Sequence, residues 1–218
     1  MNKILSTAAI VALATTLSFA QEGCECPKFG IRAGFNLNDF TGKDSDEFDI
    51  GFGFGGGLAV SIPITDFLSF NPELGFYYRK LASMSEKDGE DEDIIEYNHY
   101  LDEFALSIPA MLRFTHNGMM PFYLAAGVQL DIPFSTKLNS KRSYEGQTTT
   151  SIGKRMYERA EIDFGIALGL GYNITPNFGI DLRCVIGLTD FFDAPNVPEK
   201  DEPNISINQY GIGVTYFF

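Results

Sequence analysis

The chain has 218 residues, 29 acidic and 16 basic side chains, a formal net charge of −13, and 22 glycines, 20 phenylalanines and 10 tyrosines without a tryptophan. Such acidity argues against nucleic acid or a phosphate-rich surface as a partner. Three cysteines permit at most one disulfide.

Met1 to Ala20 reads as a secretory signal peptide cleaved near Ala20. Lys3 is the charged start, Ile4 to Leu17 the apolar run, and Ser18-Phe19-Ala20 the small-x-small cleavage site. The run is shorter than the about 20 residues a spanning helix needs, and Gln21-Glu22-Gly23 before Cys24 does not form a lipobox. Residues 21–27 then make a short periplasmic segment holding Cys24 and Cys26. A disulfide between them would close a strained ring, although an oxidising compartment favours it. No later stretch is a continuous apolar run long enough for a transmembrane helix.

From Lys28 onward the chain alternates with a period of two, which puts successive side chains on opposite faces of a strand. Phe29, Ile31, Ala33, Phe35 and Leu37 share one face and Gly30, Arg32, Gly34, Asn36 and Asn38 the other. After a polar loop at 39–49, Ile50, Phe52, Phe54, Leu58, Val60 and Ile62 alternate with Gly51, Gly53, Gly55, Gly57, Ala59 and Ser61. A helix would scatter those glycines at about 1 kcal/mol each relative to alanine, so the segment reads as a strand. A turn at 63–67 leads to Leu68, Phe70, Leu74, Phe76 and Tyr78, opposed by Glu73, Gly75, Tyr77 and Arg79. A loop at 83–102 follows, then Phe104, Leu106, Ile108, Ala110, Leu112 and Phe114 against Ala105, Ser107, Pro109, Met111 and Arg113.

Beyond a turn at 115–121, Phe122, Leu124, Ala126, Val128, Leu130 and Ile132 oppose Tyr123, Ala125, Gly127, Gln129 and Asp131. The longest connection, 134–158, is polar. Ala160, Ile162, Phe164, Ile166, Leu168, Leu170 and Tyr172 then oppose Asp163, Gly165, Ala167, Gly169 and Gly171. After a turn at 173–177, Phe178, Ile180, Leu182, Cys184, Ile186 and Leu188 oppose Gly179, Asp181, Arg183 and Gly187. A proline-containing loop at 190–204 reaches the last segment, where Tyr210, Ile212, Val214, Tyr216 and Phe218 oppose Gln209, Gly211, Gly213, Thr215 and Phe217. Cys184, on an apolar face, reads as a small hydrophobe.

Eight segments of roughly the 9–11 residues a tilted spanning strand needs, joined by alternating short and long connections, predict an all-β fold. It is an eight-stranded antiparallel up-and-down transmembrane β-barrel over residues 28–218, with short turns in the periplasm and long loops outside. The apolar faces hold no Asp, Glu, Lys or Arg, whereas the opposite faces hold Arg32, Arg79, Arg113 and Arg183 with Glu73, Asp131, Asp163 and Asp181. An arginine at mid-depth on a lipid face costs about 2–4 kcal/mol. Inside a narrow barrel the four bases and four acids can pair as a lumenal network that fills and rigidifies the interior, with the glycines leaving room for Tyr77, Tyr123 and the arginines. The competing fold is a soluble lipocalin-like barrel that lines a ligand pocket with its apolar faces. Its outer face should be rich in Lys, Glu and Thr, and here that face is chiefly Gly and Ala. Phe29, Phe70, Phe114, Phe122, Tyr172, Phe178 and Phe218 gather near one end as an aromatic girdle. Tyr210, Ile212, Val214, Tyr216 and Phe218 stand where the insertion machinery of the outer membrane reads a terminal aromatic strand.

The chain also resembles the PorT-like outer-membrane barrels of the Bacteroidetes. The likeness runs through Phe29-Gly30-Ile31-Arg32-Ala33-Gly34-Phe35-Asn36-Leu37, Phe70-Asn71-Pro72-Glu73-Leu74-Gly75-Phe76-Tyr77-Tyr78 and Leu106-Ser107-Ile108-Pro109-Ala110-Met111-Leu112. It continues through Tyr123-Leu124-Ala125-Ala126-Gly127, Phe164-Gly165-Ile166-Ala167-Leu168-Gly169-Leu170-Gly171-Tyr172, Asp181-Leu182-Arg183 and Leu188-Thr189-Asp190. The resemblance implies the barrel scaffold from Phe29 to Phe218 and, through the named member, a role as an accessory of protein secretion through the outer membrane. A shared scaffold does not carry a shared active site.

Candidate chemistry is sparse. Asp88, Glu90, Asp91, Glu92 and Asp93 could gather calcium, but they lack EF-hand spacing and such a run is ordinarily a solvated face. His99 and His116 fall at opposite ends of the predicted barrel and cannot share a metal site or a catalytic triad. Gly51 to Gly57 alternates too strictly for a phosphate loop. The expectation is therefore a non-enzymatic protein without a cofactor, embedded in outer-membrane lipid. A structural or interaction role would fall to its acidic, polar external loops, which suit a protein or cation partner. Eight strands enclose little more than side chains, so a small pore is the remaining alternative.

Overall fold

A computed structural model describes residues 26–42, 49–88, 95–115, 121–144, 147–152, 158–159, 162–190, 192–193 and 205–218. Residues 1–20, expected to be a signal peptide, and most of the segment at 21–27 lie outside the described residues. The strands are β1 (Lys28–Gly42), β2 (Gly51–Thr65), β3 (Leu68–Asp88), β4 (Ile95–Thr115), β5 (Phe122–Tyr144), β6 (Gln147–Ile152), β7 (Glu158–Arg159), β8 (Asp163–Asn173), β9 (Phe178–Gly187), β10 (Phe192–Asp193) and β11 (Ile205–Phe217). Eight of them form one antiparallel sheet in the order β4-β3-β2-β1-β11-β9-β8-β5, which a β4–β5 pairing closes into a barrel. Thirteen residue pairs, Gly30↔Phe217 to Gly42↔Ile205, join the first and last strands. β6 hangs on the far half of β5, and β7 and β10 pair only with each other.

Burial runs opposite to that of a soluble barrel. Phe29, Phe54, Phe76, Leu124 and Leu182 are exposed, whereas Arg32, Arg79, Glu103, Asp131 and Asp181 are buried. The apolar faces therefore point away from the barrel interior and do not line a pocket inside it, which overturns the soluble ligand-binding alternative. Two of the short turns use one device: Thr65 Oγ1 accepts from the Phe67 and Leu68 amides, and Thr175 Oγ1 from those of Asn177 and Phe178. A threonine hydroxyl thus supplies the acceptor that an exposed turn amide otherwise lacks.

Three of the expected long loops prove too long. β1 runs on to Gly42, where a φ of 134° is open to glycine, and β11 begins at Ile205, directly after the expected loop at 190–204. β3 continues to Asp88 and β4 starts at Ile95, so much of 83–102 is paired strand. β5 extends to Tyr144 and β6 folds back on it. Beyond the bilayer both faces of a strand can meet water, so apolar alternation ceases to mark it in sequence while backbone pairing continues. A bulge in β5, with Phe104 opposite Ser135 and Ala105 opposite Pro133, places proline at an irregularity that tolerates it. The extra residue, Phe134, is exposed on the outer wall.

Candidate functional site: the filled interior and the lipid face

Inward residues from strands far apart in sequence converge in two ionic clusters. Near the short-turn end, Arg32 holds Asp181 with both terminal nitrogens, one contact at 2.7 Å, and its Nη1 also reaches Thr215 Oγ1 at 3.2 Å. Arg183 forks onto Glu73 at 2.9 and 2.8 Å, and Arg32 Nε lies 3.5 Å from the same carboxylate. Further up the barrel Arg79, 1% exposed, meets Glu103 at 2.7 Å, Asp131 at 3.1 Å and Asp163 at 3.4 Å. Gln129 and Gln209 donate to Asp131, and Asn36 donates to Gln209 Oε1. Inward residues of β3 run Glu73, Gly75, Tyr77, Arg79, so Tyr77 stands between the clusters.

Seven of the eight expected ionic residues are thus in ion pairs, and one is not. Arg113 has no carboxylate within 4.0 Å among the described residues. It stacks over the Tyr123 ring at 3.5 Å and donates to Asn173 Oδ1. The expected balance of four acids also changes, because the fully buried Glu103 joins Arg79. Continuing the alternation one residue before Phe104 would have found it, since Glu103 keeps the parity of Ala105 and Ser107. Inward glycines make room as expected: a methyl group on Gly171 would overlap Tyr123, on Gly55 it would overlap Tyr77, and on Gly213 the Arg32 guanidinium. Two of these, Tyr123↔Gly171 and Tyr77↔Gly55, are direct cross-strand pairs, in which the ring covers the glycine's open backbone.

The outer end of the interior was not legible in sequence. Phe40, Leu81, Ile205 and Ile207 pack together across the lumen with Leu101 against them. Here the sense of alternation reverses: Thr41 and Ser206 face out and share a 3.2 Å hydrogen bond. The reversal marks where the wall leaves lipid for water. On β11 it falls between Tyr210 and Asn208, and their partners on β1 are Leu37 and Asp39. From Tyr210 to Phe218 the strand rises about 26 Å, or about 20 Å along the normal at the usual barrel tilt, near the height of an outer-membrane apolar band.

Aromatic side chains mark both boundaries, not one. At the short-turn end Phe122 packs on Tyr172 (4.9 Å between centroids) and Tyr216 on Phe218 (5.7 Å). At the other end Tyr78 lies 5.4 Å from Phe54 and 5.2 Å from Phe104, and Phe134 touches Phe76 and Phe104. Just above them Asp102 accepts from Tyr78 Oη and Asn139 Nδ2, both at 2.7 Å, and Lys80 sits over the Tyr100 ring. Ring-and-polar layers of this kind are what the headgroup region accommodates.

No group of three or more His, Cys, Asp and Glu side chains among the described residues could hold a metal ion. Of the candidate calcium run, Asp88 ends β3 and Glu90, Asp91, Glu92 and Asp93 lie outside the described residues, as does His116. Cys26 and Cys184 carry free thiols, Cys26 exposed.

A closed antiparallel barrel with an apolar, aromatic-belted exterior and a charged interior is a transmembrane barrel of the outer membrane. The chain belongs to the outer membrane protein beta-barrel domain family, whose model matches residues 16–193. It is accordingly an integral protein of the outer membrane of a Gram-negative bacterium, embedded in its lipid. Among solved structures it is similar to Neisserial surface protein A, at 15% identity over 89% of this chain and 100% of that one, with a TM-score of 0.47. It is also similar to Ail, the attachment invasion locus protein of Yersinia pestis, at 16% identity over 88% and 99% of the two chains (TM-score 0.43). OprG from Pseudomonas aeruginosa follows at 14% identity over 90% and 98% (TM-score 0.41). No curated protein matches the chain.

Proposed function

We propose that the protein is a non-enzymatic surface-interaction barrel that offers a protein partner a β-sheet standing outside the membrane. The observation that carries this reading is the extension of β3, β4 and β5 past the aromatic belt together with β6. Pairings Asp88↔Ile95, Glu96↔Ser143 and Asn139↔Ile152 make one continuous four-stranded arm. β6 is its edge strand in the sheet order. Its sequence, Gln147-Thr148-Thr149-Thr150-Ser151-Ile152, is β-branched and without charge or proline, so it lacks the usual devices that keep an edge from accepting another strand. The sequence of the other edge, at 83–88, includes the charged residues Glu86, Lys87 and Asp88, of the kind that disfavours strand addition. An extended segment of a partner would add to β6 through backbone hydrogen bonds.

In this reading the long connections face outward, the lumen is plugged by the two ionic clusters and the apolar cap, and conductance is small or absent. Residues 1–20 are removed as a signal peptide near Ala20, and Tyr210, Ile212, Val214, Tyr216 and Phe218 present the terminal strand to the insertion machinery. The PorT-like resemblance supports a second role, as an accessory of secretion, and the open polar mouth at the short-turn end favours it. The test excises Lys141–Thr150 and compares cells displaying each form for binding to immobilised extracellular proteins and for export of secreted proteins. Lost binding with a heat-modifiable barrel and normal export supports the interaction role. Normal binding with defective export transfers the function to the secretion reading, and no change in either removes the arm from the account.

A further inference from the structure

The geometry points to a binding site for a small soluble oxyanion, a carboxylate or phosphate carried on an apolar body, inside the short-turn mouth of the barrel. A cavity of about 480 Å³ opens there, bordered by the β2–β3 and β8–β9 turns and floored by inward residues that include Arg113, Tyr123 and Thr215. Every other lumenal arginine has at least one carboxylate partner, and Arg113 has none among the described residues. Its ring stack on Tyr123 and its bond to Asn173 hold the guanidinium plane while leaving further N–H groups without an acceptor among the described residues. Tyr123 is itself braced by Asp181, 3.5 Å from its hydroxyl, and Asp181 is already committed to Arg32.

A half-buried arginine fork with no carboxylate partner among the described residues is costly to keep, and a carboxylate or phosphate is the group that matches it with two parallel hydrogen bonds. Lys28 on the cavity rim adds a second positive charge, against one acid, Asp66, in the β2–β3 turn. In a chain carrying 29 acids this is a locally cationic pocket. Ser61 and Ser69 supply hydroxyls, while Phe67, Pro121, Ile174 and Phe217 supply apolar walls for the rest of the ligand. Because the cavity lies inside the barrel wall, a lipid headgroup in the surrounding leaflet would have to cross that wall to enter. A soluble solute enters directly from the short-turn side.

The probe is phenyl phosphate, titrated calorimetrically into the full chain folded in detergent, with phenol and sodium chloride as controls. Saturable binding that inorganic phosphate displaces and phenol does not share is expected. Arg113→Gln should weaken it about tenfold or more, and Arg113→Lys, which keeps the charge but not the fork, by less. Lys28→Gln on the open rim should weaken it a fewfold. An unchanged affinity in phosphatidylcholine vesicles shows that the ligand comes from solution, whereas loss of the phenyl phosphate signal there assigns the site to lipid phosphate and overturns the soluble-solute assignment. Phenylglyoxal labelling of the unmodified chain supplies a measurement that needs no variant. Phenyl phosphate should protect Arg113, with buried Arg79 as the internal control. Wild-type affinity in a heat-modifiable Arg113→Gln barrel, absence of saturable binding, or labelling of Arg113 that phenyl phosphate does not slow would each overturn the proposal.

Discussion

Arg79 offers the sharpest test of the interior. It is the largest fully buried side chain among the described residues, and Glu103, Asp131 and Asp163 converge on its two terminal nitrogens at 2.7, 3.1 and 3.4 Å. Arg79→Met nearly keeps the volume and removes the cation on which these three carboxylates converge. At an effective dielectric near 20, one such pair at about 4 Å is worth roughly 4 kcal/mol before desolvation. Removing one partner of a buried pair typically costs about 3–5 kcal/mol, because the remaining charge is stranded. Three carboxylates around the vacated site place Arg79→Met at the upper end of that range. The assay is urea unfolding in lipid vesicles, read by the shift of the unboiled band. Neutralising the stranded acid should restore part of the loss, so Arg79→Met with Glu103→Gln is expected to be more stable than Arg79→Met alone, by about 1–3 kcal/mol of coupling. A cost below about 1 kcal/mol for Arg79→Met, or a double variant no better than the single one, would refute the view that this cluster's charges hold the barrel interior.

Three further outcomes follow from other parts of the wall. Gly171→Ala should lose about 1–3 kcal/mol through overlap with the Tyr123 ring, and Tyr123→Ala in the same chain should relieve the overlap, both measured by the same unfolding curves. Val128→Arg, near mid-depth on the lipid face, should cost about 2–4 kcal/mol, whereas Thr41→Arg above the belt should cost about 0–1 kcal/mol; equal costs would mean that the bilayer boundary has been misplaced. Deleting Phe218 should slow assembly in cells while leaving folding into vesicles of the purified chain nearly unchanged, and equal slowing in both assays would assign the residue to packing against Tyr216 instead.

How much was readable before any coordinates existed depended on what each residue touches. Lipid on one side and a narrow lumen on the other force a period of two with a fixed sense, so strand number, connection order and lipid face were legible from Lys28 to Phe218. The inward position of all eight expected ionic residues followed from the same parity. Which carboxylate meets which arginine did not, because Arg32 and Asp181 or Arg183 and Glu73 are brought together by barrel closure and stagger between strands more than a hundred residues apart in sequence. The isolation of Arg113 was hidden for the same reason, as only the closed barrel shows that its neighbours are Tyr123 and Asn173. Above the membrane the signal inverts or vanishes. Phe40, Ile205 and Ile207 face inward where the outer surface meets water, and the sequence of the β3–β6 arm carries no apolar alternation to read. Sequence alone determined the wall because the bilayer imposes its chemistry on every second residue. The pairing of the interior charges, the surroundings of Arg113 and the edge position of β6 were decided by tertiary structure, because each depends on the residues that closure and register set side by side.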